Sequence, residues 1–463
     1  MRIRFCVLAA LAALSVGFTA WAHGTVYAQR EAVEVEQAVL QGEPSMAEGV
    51  SLEMRSAMGR HLFWETEITA GPEFTCDTDY TYSARARWSS SLHGSWGLRV
   101  DVMGNSGPTR EGDTEDLRGM QKPFNDVASR CPAGTENYTE TVHLRDYYEV
   151  YPLYVQNDFL DLLPASTEAD TFEFDGEQGT PELQLQALLR AYFPIPVPED
   201  VTLEIHVDKN ENGKIGGYGH GAQWTFDTSS VVREGGVYFV FSSVPGQRPL
   251  NTSRFPLGYG VYFLPVELTP TETVDHQEAS TIRFGDPVRV CPVDPAVEYA
   301  YLYGEEEGAM YLFTQQQGTL SLTVLNETGA AVQTFPVLED LEEEDRLSSV
   351  RFREGYLLAE SARDRFRVVE TAGGTCRAAL EGSLRTVWEK KLDSGYGEPA
   401  LDYDGERLAY VGEMSEECAC FLALYGPEGL EYLGTYALSL GREVNCGLYD
   451  PENSTPLTVR LPQ

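Results

Sequence analysis

Apolar and polar positions alternate in short runs along most of the chain, with turn residues between the runs. The pattern is clearest from Ala400 to Tyr436. There Leu401 and Tyr403 alternate with acids, Asp404-Gly405 supplies a tight hairpin turn, and Leu408, Tyr410 and Val411 begin the return strand. Phe421–Tyr425 and Leu430–Tyr436 form a second pair across Gly426-Pro427-Glu428-Gly429. Four reversing strands in so short a stretch match the size of one β-propeller blade. The stretches SLTVLNETG, FRVVETAGG and FLALYGPEG, at Ser321, Phe366 and Phe421, each end an apolar strand in a glycine turn. Their unequal spacing, with Arg385–Gly397 read as an insertion, keeps a β-sandwich pair as the competing fold.

Further strands are predicted upstream. Val33 and Val35 alternate with acids, Gly42-Glu43-Pro44-Ser45 turns the chain, and Val50, Leu52 and Met54 alternate again, so the two runs are expected to pair. Leu62-Phe63-Trp64 opens a strand that carries through Ile68, and Val201–Val207 alternates. Val237–Phe241 and Val261–Leu264 are nearly continuous apolar runs, expected as central strands covered on both faces. Between Arg85 and Pro132 the Gly, Ser, Asp and Arg content predicts long loops around one strand at Leu98, Val100 and Val102. Thr180-Pro181-Glu182 followed by LQLQALLRAYF, then Pro194, Pro196 and Pro198, predicts one short helix near 181–192. The fold class expected is all-β: a β-propeller-like repeat of short antiparallel sheets with that one helix.

The run Gly42–Thr69, GEPSMAEGVSLEMRSAMGRHLFWETEIT, resembles the opening of a group of uncharacterised exported proteins of Gram-positive gut bacteria. The resemblance implies an exported, β-rich, propeller-like protein and brings no activity or site residues. The first residues agree with export. Arg2 and Arg4 precede the apolar run Phe5–Ala22, and Ala20-Trp21-Ala22 fits a small-x-small cleavage site. The layout expected is a signal peptide or membrane anchor over 1–22 and a stalk over 23–30. A β-rich part over 31–289 follows, with propeller-like blades over 290–463 completing the same domain. Uncut, the first segment would be the chain's sole membrane contact.

Composition narrows the partners. The chain has 463 residues, 42% of them hydrophobic, enough for a full core. Its 72 acids against 34 bases, a formal net charge of −38, repel phosphate backbones and disfavour nucleic acid. Seven cysteines remain beyond the first segment: Cys76, Cys131, Cys291, Cys376, Cys418, Cys420 and Cys446. In an exported chain they read as disulfide partners, with Cys76–Cys131 expected and Cys446 joined to Cys418 or Cys420.

Chemistry is harder to read. Asp208-Lys-Asn210-Glu-Asn212-Gly213-Lys-Ile215 has the oxygen ligands of a Ca2+ loop, making Asp208, Asn210 and Asn212 candidate metal ligands. Yet Gly219 stands where the bidentate acid belongs, and Asn212-Gly213 is itself a hairpin-turn dipeptide, so the plain turn is the stronger reading. His61, His93, His143, His206, His220 and His276 form no zinc motif, no serine sits in a nucleophile elbow, and no glycine-rich phosphate cradle is present. The acid runs Glu305–Glu307 and Glu339–Asp345 read as solvated loops. Trp64, Trp88, Trp96, Trp224 and Trp388, with the tyrosines, offer either core packing or sugar-stacking platforms. No catalytic or cofactor residues are assigned. The function expected is an extracytoplasmic binding or scaffold module of the cell envelope, its partner an envelope protein or glycan. The alternatives are a glycosidase-like hydrolase with paired carboxylates and a membrane-anchored sensor domain.

Overall fold

The computed structural model describes residues 13–22, 24–25, 33–58, 61–82, 98, 100–102, 121–155, 171–172, 181–220, 226–243, 249–270, 279–304, 308–342, 345–372, 375–392, 398–414, 418–439, 447–448 and 456–462. Residues 13–22 and 24–25 are helical, and β1 (Val35–Gln41), β2 (Ser51–Met58), β3 (Leu62–Thr69), β4 (Thr75–Tyr82) and β5 (Val100–Val102) follow them. Helix α1 (Lys122–Arg130), β6 (Thr135–His143), β7 (Leu153–Val155), β8 (Thr171–Phe172) and helix α2 (Pro181–Tyr192) follow. Next come β9 (Thr202–Lys209), β10 (Ile215–His220), β11 (Phe226–Arg233), β12 (Gly236–Ser243), β13 (Gly260–Pro270), β14 (Ala279–Phe284) and β15 (Val288–Pro292). Two meanders succeed them: β16 (Tyr299–Gly304), β17 (Met310–Gln316), β18 (Thr319–Leu325), β19 (Ala331–Leu338), then β20 (Leu347–Arg353), β21 (Tyr356–Ser361), β22 (Arg365–Ala372), β23 (Thr375–Ser383). The chain finishes with helix α3 (Arg385–Glu389), β24 (Ala400–Tyr403), β25 (Leu408–Glu413), β26 (Ala419–Gly426), β27 (Gly429–Leu438), β28 (Gly447–Leu448) and β29 (Leu457–Arg460).

The described residues are mostly strands, in several small, mostly antiparallel sheets with few helices. β16 to β19 and β20 to β23 are four-stranded sheets in sequence order, and β24 to β27 repeat the order with β1 added outside β27. Among the described strands, β8 runs parallel to β14. The expected hairpin at Ala400–Tyr436 is present. Leu401 faces Tyr410 across the first turn, and the Asp404 Oδ1 accepts from the Glu406 and Arg407 N–H groups at 2.9 and 2.7 Å.

The residues fall into two compact units, Met1–Gly94 with Arg351–Glu370 and Arg377–Gln463, and Ser95–Val350 with Thr371–Cys376. In the first unit β26 is buried along its whole length, and its two faces enter different cores. Cys420, Leu422 and Leu424 pack with Leu52, Met54, Ile68, Leu457 and Val459, whereas Phe421, Ala423 and Tyr425 pack with Leu358, Phe366, Val368 and Leu408. In the second unit the core gathers around Phe193, just beyond α2. Its ring lies 4.7 Å from Tyr262, 4.9 Å from Phe241 and 5.5 Å from Phe239. β12 and β13 are the buried central strands that their apolar runs predict.

Several expectations need correction. β1 and β2 do not pair with each other: β1 closes the sheet of β27, while β2 lies between β3 and the C-terminal β28 and β29. The physical reason is burial. Pairing with β27 and β29 places Val35, Leu52 and Met54 in one shared core, which a local hairpin leaves half exposed. Among the described residues helix also occurs outside the expected one: residues 13–22 and 24–25 are helical, and α1 and α3 lie between strands. In α1, Phe124, Val127 and Ala128 fall at i, i+3 and i+4 and are buried, although the surrounding composition reads as loop. α3 occupies the start of the segment read as an insertion and buries Val387. Among the described residues, no helix is long and apolar enough to cross a membrane.

Candidate functional site

The three-stranded sheet β10-β9-β6 in the second unit has one covered face and one open face. β9, TLEIHVDK, alternates accordingly. Leu203, Ile205 and Val207 point to one side, where Phe124, Val127, Ala128 and Cys131 of α1 and its C-terminal end cover them. Glu204, His206 and Asp208 therefore occupy the other side.

Register puts Tyr218 of β10, His206 of β9 and Thr139 of β6 in one row across the open face. The His206 ring is held at both nitrogens: Nδ1 lies 3.0 Å from Thr139 Oγ1 and Nε2 lies 2.8 Å from Glu204 Oε1. Tyr218 stacks on this ring at a centroid distance of 4.9 Å and an interplanar angle of 26°. Although so held, Tyr218 remains 54% exposed.

Glycines surround the tyrosine in the run Ile215-Gly-Gly-Tyr-Gly. A side chain at Gly216 would meet nothing within 4 Å, whereas a Cβ at Gly217, where φ is +135°, would lie 2.1 Å from the His206 carbonyl oxygen. Gly217 is thus required for the close approach of β10 to β9, and Gly216 leaves the neighbourhood of the Tyr218 ring uncrowded.

The turn joining β9 to β10 contains the three candidate metal ligands. Asn210 Oδ1 accepts from the Lys214 N–H at 2.8 Å, and the Gly213 N–H donates to the Asn210 carbonyl at 2.9 Å. Asp208 Oδ1 accepts from the Asn137 N–H at 2.7 Å, and Asn212 is exposed. The segment is a hairpin turn whose side chains serve the backbone. Among the described residues no three His, Cys, Asp or Glu side chains gather in a metal-binding group.

The expected Cys76–Cys131 bridge is not formed. Cys76 is an exposed thiol on β4, and Cys131 is a buried one whose Sγ–H donates to the Pro132 carbonyl at 3.6 Å. Packing against Phe124 and Val127 secures Cys131 as a small apolar group. Cys418 and Cys420 are buried in one core, and Cys446, their expected partner, lies outside the described residues. Burial pushes the Cys420 thiol up to about 12 and the Cys376 thiol up to about 11, and it raises Cys291, so all three stay protonated at neutral pH.

Two buried carboxylates of the kind that the hydrolase reading needs have guanidinium partners. Glu360 pairs with Arg351, and Asp364 accepts from Arg385 at 2.8 Å and from Ser383 at 3.0 Å. Burial, with the Glu360 charge beside it, raises the Tyr425 hydroxyl. Trp64 is buried against Tyr80, with ring centroids 5.5 Å apart, and Trp388 is 36% exposed. Trp88, Trp96, Trp224, His93, His276 and Glu305–Glu307 lie outside the described residues.

Sequence reasoning placed the turn and missed the sheet face beside it. The signal was available: Glu204-x-His206-x-Asp208 puts three polar groups on one face of a strand with Leu203, Ile205 and Val207 on the other, and the next strand offers one tyrosine among glycines.

No family model and no curated protein sequence matches the chain. Fourteen chains of solved structures match. One is a quinonprotein alcohol dehydrogenase-like protein from Bacteroides thetaiotaomicron VPI-5482, at 8% identity, covering 87% of this chain and 93% of that chain with a TM-score of 0.20. A score of that size carries no argument, and the architecture stands on the sheets themselves.

Proposed function

We propose that this chain is an extracytoplasmic binding or scaffold module of the cell envelope. The observation that carries the binding reading is the open face of β10-β9-β6. An exposed tyrosine is locked in plane there by a histidine that is itself tied at both nitrogens. Such a surface gives up little conformational freedom when a partner arrives, which favours recognition. The location reading rests on the basic and apolar opening of the sequence and its small-x-small site before His23.

Cell fractionation of the native host followed by mass spectrometry of the N-terminus tests the location. The expected result is a chain in the envelope or medium, beginning near His23 or held intact in the membrane. A chain beginning at Met1 in the soluble cytosol would refute it. A surface role also predicts that Tyr218→Ala lowers adsorption of the purified chain to isolated envelopes while leaving its fold intact. Unchanged adsorption would remove this face from the proposal.

A further inference from the structure

We propose that the open face of β10-β9-β6 is a carbohydrate site that stacks one neutral pyranose on Tyr218; the inference rests on the binding reading above. A pyranose has an apolar face of C–H groups and a rim of hydroxyls. It therefore fits a flat, exposed aromatic ring flanked by fixed hydrogen-bonding groups. Tyr218 offers such a ring, stacked on His206 and still 54% exposed. The glycine at 216 places no side chain beside it. Around the ring the same sheet face carries the half-exposed Glu204 carboxylate and the exposed Asp208 carboxylate and Thr141 hydroxyl, at register positions next to the Tyr218 row.

Charge selects among ligand classes. A net charge of −38 opposes an acidic polysaccharide or a nucleotide. For a cationic peptide neither nearby carboxylate stands unpartnered, since Glu204 faces His206 at 2.8 Å and Asp208 accepts from the Asn137 N–H. What these acids retain is the capacity to accept from hydroxyl groups, the donors that a neutral sugar presents. The His206 ring contributes by position: it fixes the plane of Tyr218 and is not itself expected to touch the sugar.

Isothermal titration calorimetry on the full chain tests this with gluco-, manno- and N-acetylglucosamine hexasaccharides as probes. Hexalysine and polygalacturonate serve as charged comparators. One neutral hexasaccharide is expected to bind. Tyr218→Ala is expected to weaken that binding about tenfold, and Tyr218→Trp to preserve it. His206→Ala is expected to weaken it less, about threefold, by freeing the ring plane. Thermal melts of each variant report whether it is folded. The inference is overturned if no neutral probe binds at millimolar concentration, or if folded Tyr218→Ala binds as the unaltered chain does. Binding of hexalysine alone, abolished by the same substitution, also overturns it. Failure here with the chain still found in the envelope leaves the module reading standing. Sugar binding by a chain found in the cytosol removes the location and keeps the site.

Discussion

The sheet β1-β27-β26-β25-β24 and the sheet β10-β9-β6 use the same antiparallel pairing to different ends. The first is apolar on both faces, so its central strand reads ACFLALYG and every side chain has a neighbour. The second is apolar on one face, and β9 reads TLEIHVDK. A sheet clad on both sides supplies cohesion and leaves no surface for chemistry. One clad on a single side costs part of that cohesion and keeps a row of polar groups at fixed spacing. The pairing alone does not separate the two. The difference lies in whether alternate positions are polar.

Removing the cover from one side of the first sheet should have the largest effect. Truncation after Pro456 deletes Leu457, Val459 and Leu461, all buried in the core that receives Leu422 and Leu424. It also removes the Leu461 N–H that donates to Asp402 Oδ2 at 2.6 Å. Three buried aliphatic side chains correspond to about 6 kcal/mol, and urea denaturation should show the loss or a chain that no longer folds. On the other side, Phe421→Ala should cost about 4 kcal/mol by the same measurement.

In the open sheet the sensitive position is backbone. Gly217→Ala should cost about 2 kcal/mol through the clash with the His206 carbonyl, while Gly216→Ala one residue away should be near neutral. Equal effects would mean that the approach of β10 to β9 is not as close as described.

Glu413, at the end of β25, gives a smaller, pH-dependent effect. Burial raises its carboxyl above the usual range, so the folded chain favours the protonated form. That contribution is complete below the unfolded value, near 4.3, and is lost as the pH rises through the higher folded value. Glu413→Gln should therefore raise Tm at pH 7, and the gain should vanish at about pH 4 and below. Smallest of all, Tyr218→Ala should change stability by less than about 0.5 kcal/mol, because its ring is exposed. A large loss would make the tyrosine a structural residue and close the distinction between the two sheets.

Much of the fold was legible because strand alternation and turn residues are local signals. The hairpin through Asp404-Gly405, the central strands β12 and β13 and the helix α2 each announce themselves within a dozen residues. The partners of β1 and β2 were not legible, since nothing near Val35 or Leu52 points to residues at the far end of the chain. α1 was missed because Phe124, Val127 and Ala128 stand in a stretch whose overall composition resembles loop. For the candidate site, the Asn212-Gly213 turn was visible and the row Tyr218, His206, Thr139 was not, because register between separate strands has no trace in either strand alone. Cys131 shows the reverse error: an exported-chain prior suggested a bridge, and local packing had a simpler use for the thiol.

The closure of β1 on β27 governs when folding can finish. Glu34 accepts from the Ser439 N–H and donates its own N–H to the Ser439 hydroxyl, across a separation of 405 residues. During synthesis the first strand emerges long before its partner exists, and β2 likewise waits for β29. A nascent chain of this kind cannot complete the sheets of β1 and β2 until the strands over 429–460 have been made, so their folding is held back through the synthesis of everything between.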